Sequence, residues 1–314
     1  MSASVLITGV NGFCGRHLAA HLSAAGYGVA GLDRDRGLPL GPDFYQADVT
    51  DAKALQAILE AARPDIVFHL AALLNPRLPY DALHQVNVLG TLSLLDAVRT
   101  VCPRATVMVT STSAVYGRVR AEELPIAELQ PFRPSTPYAV TKIAQEMLAY
   151  QQFATHGLRV VRARTFNLVG PGESPAFASS AFARQIAEIE LGRRDPVLAV
   201  GNLESVRDFT DVRDAVRAYR LLAEVGEPGS VFNVCSGRGT PIAQVLDTLL
   251  SLSRVRGVAV KVDPTRLQPA DVPIQIGDPA RLTADTGWSA AIDLEQSLAD
   301  LLEDWRNRVR EEKP

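Results

Sequence analysis

Short apolar runs alternate with longer stretches of helical periodicity through the first half of the chain. Residues 5–7, 28–32, 44–47, 66–70 and 106–109 are brief apolar runs and read as strands buried on both faces. Between them the apolar positions recur at helical spacing. One such stretch begins near residue 13 and ends near 25. Another follows Thr50, read as its cap, and carries Leu55, Ile58 and Leu59; a third covers 81–101, with Val88, Leu92 and Leu95 on one face. A proline-rich, irregular segment over 118–136 precedes a helix over 138–156 and a strand over 158–163. Strands alternating with helices predict an α/β fold, with a parallel sheet covered on both faces. After Arg164 the pattern loosens, and Gly170, Pro171, Gly172 and Pro175 break the chain. Helices are expected over 179–191, 214–224, 242–252 and 294–309, and strands over 196–200 and 230–234. The last helix turns Leu298, Leu301, Leu302 and Trp305 inward.

The first strand runs directly into Gly9, Gly12 and Gly15, spaced three apart and followed by the first helix. Gly9 suits a tight turn, Gly12 admits close approach of backbone to a pyrophosphate, and Gly15 lets helix pack on strand. Asn11 and Phe13 lie in the same turn. The helix N-terminus adds unpaired N–H groups and the positive end of its dipole. This is the signature of a dinucleotide site on a Rossmann-type, doubly wound sheet. Asp33 ends the second strand at the distance where an acid holds the adenosine ribose, which favours NAD. Arg34 and Arg36 follow at once and could accommodate the 2′-phosphate of NADP, so both cofactors stay open. The expected organisation is a dinucleotide-binding domain over 1–165, joined by segments from about 206–240, and a smaller α/β substrate lobe over 166–314. The cleft between them is the expected binding site.

The formal charge of the 314 residues is −3, with no basic run, which argues against nucleic acid as a partner. No apolar segment is long enough to span a bilayer, and the chain opens on a strand rather than a signal peptide. Cys14, Cys102 and Cys235 are scattered and odd in number, as expected of free thiols in a reducing cytoplasm. His17, His21, His69, His84 and His156 form no metal-spaced set, and His69 on a buried strand reads as a satisfied core residue. No metal site is expected.

Tyr138 and Lys142 stand four apart at the start of a helix and share one face. An ammonium beside a phenol stabilises phenolate and brings it into use as an acid or base near neutral pH. Upstream, at the end of the fifth strand, lie Ser111, Thr112 and Ser113. Hydroxyls at the C-terminal end of a parallel strand face the crevice where ligands bind, and Thr112 can hydrogen-bond a carbonyl oxygen that Tyr138 protonates.

At this point the chain resembles the extended short-chain dehydrogenase/reductases. The matching pieces are the glycines from Thr8 to Gly15, Asp33, Asp48-Val49, His69-Leu70-Ala71-Ala72, Asn87, residues 111–117, Tyr138 with Lys142, and Arg164 with Asn167. Residues 207–212 and 233–237 complete the set, in family order and over nearly the whole length. The family acts mostly on nucleotide-diphosphate sugars. Within it, residues 201–214, 183–187 and 232–238 look most like the enzymes that reduce GDP-4-keto-6-deoxymannose, yielding GDP-rhamnose. The related 4,6-dehydratases carry a glutamate in the segment resembling 111–117, where this chain has Ala114. Dehydration needs a base for one proton and an acid for a departing hydroxyl, and neither Ser113 nor Ala114 is a carboxylate.

The resemblance implies that Thr112 and Tyr138 meet the sugar C4 oxygen, with Tyr138 as proton donor. It also implies that Lys142 holds the nicotinamide ribose and tunes Tyr138. Cofactor contacts carried over in the same way are Asp48, Val49, Leu70, Ala71, Ala72 and Asn87. Substrate contacts are Ser113, Asn167, Arg184, Arg207, Arg266 and Asp271, with Arg207 neutralising the diphosphate. An ion pair of Arg207 with a neighbour such as Asp208 is its structural alternative. Relatives carry an arginine where Gln268 stands here, and Arg266 is the substitute within reach. The expected activity is NAD(P)H-dependent reduction of a 4-keto-6-deoxy sugar. A 4-epimerase or dehydratase that keeps its NAD and shows no net redox change is the alternative. A dinucleotide-binding protein without activity is a third reading, against which the set of Thr112, Tyr138 and Lys142 argues. Relatives also pair through two long helices resembling 81–101 and 138–156, which implies a homodimer or tetramer.

Overall fold

The computed structural model describes residues 3–37, 43–74, 78–267 and 272–312. The first half runs β1 (Ser4–Thr8), α1 (Phe13–Ala24), β2 (Gly28–Asp33), β3 (Phe44–Gln46), α2 (Ala52–Ala62), β4 (Ile66–His69), α3 (Tyr80–His84), α4 (Gly90–Val101), β5 (Thr106–Thr112), α5 (Pro137–His156) and β6 (Val160–Thr165). The rest runs β7 (Asn167–Val169), α6 (Ala178–Glu190), β8 (Val197–Val200), β9 (Val206–Asp211), α7 (Val212–Val225), β10 (Val231–Val234), β11 (Gly239–Pro241), α8 (Ile242–Ser251), β12 (Ala259–Val262), β13 (Ile274–Gln275), α9 (Ala280–Thr286) and α10 (Leu294–Glu311).

Seven strands form one parallel sheet in the order β3-β2-β1-β4-β5-β6-β10. Successive strand residues point to opposite faces, and here both faces are covered, so the runs are apolar throughout. Leu6, Val67 and Val107 pack with Leu55, Leu59, Leu94 and Val98 from α2 and α4. Their neighbours Ile7, Phe68 and Met108 pack with Leu18, Leu22, Val216 and Tyr219 from α1 and α7. Full burial of each such side chain contributes about 1.5–3 kcal/mol. The sheet therefore takes α7 and its last strand, β10, from beyond residue 206, and Trp288 is buried in the same core. A separate core lies between α6, α8 and α10, around Phe182, Ile186, Leu246, Leu301 and Trp305. Strand β9 joins the two regions, flanked by β7, β11 and β13.

Two local details differ from the sequence expectation. Helix α2 is capped by Asp51, whose carboxylate accepts from Lys53 N and Ala54 N, while Thr50 donates to Asp48 instead. The stretch over 81–101 is helical throughout but contains a wide π-helical turn, Gln85–Leu89, between α3 and α4. No helix among the described residues is long and apolar enough to cross a membrane.

Candidate active site

The C-terminal ends of β1, β4, β5 and β6 open on one crevice, and the glycine loop forms one wall of it. Gly9 has φ +72°, and a Cβ there would lie 2.9 Å from the backbone of Ala71. A Cβ on Gly15 would lie 2.3 Å from Gly9 O, so any side chain would force α1 off the strand. Gly12 caps α1 without a side-chain hydrogen bond, which leaves the first-turn N–H groups facing the loop. This cradle fits the pyrophosphate of a dinucleotide. Beside it, Asn11 N donates to Asp33 Oδ2 at 3.0 Å, and Asp35 N to Asp33 Oδ1 at 3.3 Å. Asp33 thus ends β2 against the loop, with Arg34 and Arg36 exposed just beyond.

The remaining cofactor candidates fall into two groups. Phe13 and the segment Leu70, Ala71 and Ala72 are half-buried beside the loop, with Ala71 N donating to Thr8 Oγ1 at 3.2 Å. Asn87 sits on the π-helical turn and accepts from Leu73 N at 2.7 Å while donating to Leu73 O and Thr141 Oγ1, both at 3.0 Å. It pins the segment after β4 to α5. The side chains of Val49 and Asp48 are engaged within the fold. Val49 is buried in the core against Gly90, and the Asp48 carboxylate accepts from Thr50 N and Oγ1.

Thr112 ends β5 and Tyr138 begins α5, where Thr136 caps the helix and Pro137 fixes its first turn. The Thr112 hydroxyl stands close enough to the Tyr138 phenol to pull its pKa down. Burial pushes the Tyr138 phenol above its ordinary range, against the pull of Thr112, so it carries its proton at neutral pH. Lys142 is turned inward. Its Nζ donates to Thr110 O at 2.6 Å and to Gln145 Oε1. Burial brings its pKa down to about 7, opposed by the Glu146 carboxylate one turn on. The ammonium thus faces β5 and Gln145.

On the substrate side Ser113 is tied to β13. Its hydroxyl donates to Gln275 Oε1 at 3.1 Å and its carbonyl accepts from Gln275 Nε2 at 2.8 Å, which locks the turn to β13. Asn167 begins β7 next to the crevice. Arg184 and Arg266 line a cavity of about 460 Å³ with Arg194, Ser174 and Gln185. All three guanidiniums are held by carboxylates, Arg184 and Arg194 by Glu188 and Arg266 by Asp263. Arg207 lies outside that lining, donating to Val206 O at 2.9 Å. Its alternative partner Asp208 is buried and accepts from Ser236 N, Ser236 Oγ, Gly237 N and Gly277 N. That one carboxylate clamps the 207–212 segment to the 233–237 segment. Gln268 and Asp271 lie outside the described residues.

Beneath the crevice is a buried polar layer, in which Thr91, Gln145 and Glu146 were not foreseen from the sequence. Arg164 donates to the Glu146 carboxylate at 2.6 Å and to Tyr116 Oη at 2.9 Å, and Tyr116 donates to Asn233 Oδ1 at 2.7 Å. Gln145 donates to Thr91 Oγ1 at 2.8 Å, and Thr91 lies 2.8 Å from His69 Nε2. Polar residues on the inward face of an otherwise apolar helix, such as Gln145 and Glu146 beside Lys142, are the sequence signal that would have found them.

The arrangement has counterparts over the full chain. The family model described as GDP-mannose 4,6 dehydratase matches residues 6–301. The chain is similar to a GDP-6-deoxy-D-mannose reductase of Pseudomonas aeruginosa, 38% identical, with 99% of this chain and 100% of the relative covered. Among solved structures, RMD from P. aeruginosa complexed with NADPH superposes with a TM-score of 0.87 at 35% identity, covering 98% of this chain and 100% of that one. MoeE5 in complex with UDP-glucose and NAD gives 0.84 at 32% identity, over 98% and 99%. The chain belongs to the GDP-mannose 4,6-dehydratase family, NAD(P)-dependent enzymes of the extended short-chain dehydrogenase/reductase type.

Proposed function

We propose that this enzyme reduces the 4-keto group of a nucleotide-diphosphate 4-keto-6-deoxy sugar, GDP-4-keto-6-deoxymannose first among them. The observation that carries this reading is the Thr112–Tyr138 pair: a phenol held protonated at neutral pH beside a second hydroxyl, at the mouth of a dinucleotide crevice. The glycine loop and Asp33 would hold a nicotinamide dinucleotide there, which in its reduced form would supply the hydride for the carbonyl carbon. Tyr138 then gives its proton to the carbonyl oxygen and Thr112 steadies that oxygen, while Lys142 restores charge balance and holds the ribose. The full-length likeness to a GDP-6-deoxy-D-mannose reductase supports the substrate class.

The related 4,6-dehydration needs a further acid and base. Ala114 has neither, and the Ser113 hydroxyl is already given to Gln275. For the nucleotide-sugar, Arg207, Asn167 and the cavity bearing Arg184 and Arg266 are the proposed contacts. For the cofactor we propose Gly9, Gly12, Gly15, Asp33 and Asn87, with NADP(H) admitted beside NAD(H) by Arg34 and Arg36. The apolar residues exposed on α3, the π-helical turn and α5, Tyr80, Leu89, Val140, Met147 and Tyr150, support pairing of two copies through this region. The three free cysteines suit a reducing cytoplasm.

Tyr138→Phe tests the central role. Stopped-flow and steady-state assays should show turnover falling by about 10²-fold or more, while NAD(P)H fluorescence titration shows binding unchanged. Full activity in that variant would remove Tyr138 as proton donor.

A further inference from the structure

A line of buried polar groups runs from Lys142 across the sheet to the glycine loop. Lys142 donates to Gln145 Oε1, and Gln145 Nε2 donates to Thr91 Oγ1 at 2.8 Å. Thr91 Oγ1 lies 2.7 Å from Asn87 O and 2.8 Å from His69 Nε2. His69 Nδ1 lies 2.8 Å from Thr8 Oγ1, which accepts from Ala71 N. Thr8, His69, Thr91 and Gln145 are fully buried, and Lys142 is 2% exposed.

Counting protons gives the line a direction. Thr8 Oγ1 accepts the Ala71 N–H on one lone pair and can give its own proton to His69 Nδ1. His69 then carries hydrogen on Nε2 and donates to Thr91, which gives its proton to Asn87 O. The ring is neutral, since burial and the charge of Lys142 push its pKa down to about 3. Thr91, with its proton committed, accepts from the Gln145 amide. That leaves the Gln145 oxygen facing Lys142. In the opposite tautomer the Thr8 proton has no acceptor in the line and Asn87 O loses the Thr91 hydroxyl.

We infer that Gln145, oriented by Thr91 and His69, is a positioning residue that keeps the Lys142 ammonium charged and aimed at the cofactor. The aim toward cofactor rests on the reading proposed above; the protonation of Lys142 does not. The groups facing Lys142 are Thr110 O from β5, neutral His69 from β4, and Gln145 and Glu146 from α5. Glu146 is engaged by Arg164 and Arg162, so the Gln145 amide is the neutral group with most leverage on Nζ. With Lys142 poised at about 7, a small change at Gln145 changes how much of it is charged at neutral pH.

The chain has four lysines, at 53, 142, 261 and 313, so a protein labelled with [13Cε]lysine gives a spectrum simple enough to follow Lys142 alone. Its resonance is assigned by its loss in Lys142→Met, then titrated in wild type, Gln145→Met, Gln145→Glu and Thr91→Val. Gln145→Met should lower the Lys142 midpoint by about one pH unit, and Gln145→Glu should raise it by about as much. Thr91→Val, which frees Gln145 to turn, should lower it by less than Gln145→Met. NADPH affinity at pH 8, read by fluorescence, should fall several-fold in Gln145→Met. A midpoint unmoved in every variant that keeps the wild-type circular dichroism spectrum would overturn the inference. Shifted midpoints in a protein that turns over no keto sugar would instead overturn the proposed function and leave the inference standing.

Discussion

Asp33 and its two arginines set opposing charges at the adenosine end of the crevice. Both carboxylate oxygens already accept backbone N–H groups, from Asn11 and Asp35, which orients the acid without cancelling its charge. A ribose 2′-hydroxyl can donate to that carboxylate, whereas a 2′-phosphate is repelled by it and attracted by Arg34 and Arg36. Asp33→Asn should therefore raise the preference for NADPH over NADH by about tenfold, worth about 1.4 kcal/mol. The double change Arg34→Ala and Arg36→Ala should move it the other way. The ratio of KM values for the two cofactors checks both.

At the scale of elements, the entry to α6 carries a buried acid. Glu173 accepts from Ser179 Oγ at 2.9 and 3.0 Å, while its backbone carbonyl accepts from Ser180 Oγ and Arg308 Nη1. Burial raises its pKa from 4.5 to about 8, against the pull of Ser179. The folded state therefore binds the proton more tightly than the unfolded chain. Stability from this group is full below about pH 4.5 and is lost as pH rises to about 8. Glu173→Gln stays neutral throughout, so above pH 8 it should be more stable than wild type by on the order of 2 kcal/mol. Melting curves at pH 6 and pH 8.5 measure the difference.

The parallel sheet and glycine loop were legible in the sequence because β1, β4 and β5 are apolar on both faces and Gly9 and Gly15 are sterically required. The wide turn at Gln85–Leu89 was not, since one extra residue per turn leaves no clear mark on a helical pattern. Nor was the two-residue strand β13, which takes up Ser113 through Gln275 from 162 positions away. The Tyr138 and Lys142 spacing was plain, but the direction of the ammonium depends on Thr110 O and Gln145, which only the packing of α5 on β5 brings together.

On the scale of the whole molecule, Met147 and Tyr150 leave apolar side chains exposed on α5. If two copies pair through them, Met147→Glu with Tyr150→Glu should convert the protein to monomers in sedimentation velocity. A single species of unchanged mass would remove α5 from the interface. The central claim concerns the reaction itself, and nicotinamide absorbance tests it most directly. Purified protein mixed with NADPH or NADH and GDP-4-keto-6-deoxymannose should oxidise one equivalent of cofactor per equivalent of sugar reduced. Loss of sugar with no loss of reduced cofactor, and NAD released on denaturation, would contradict the account and show an internal redox cycle instead.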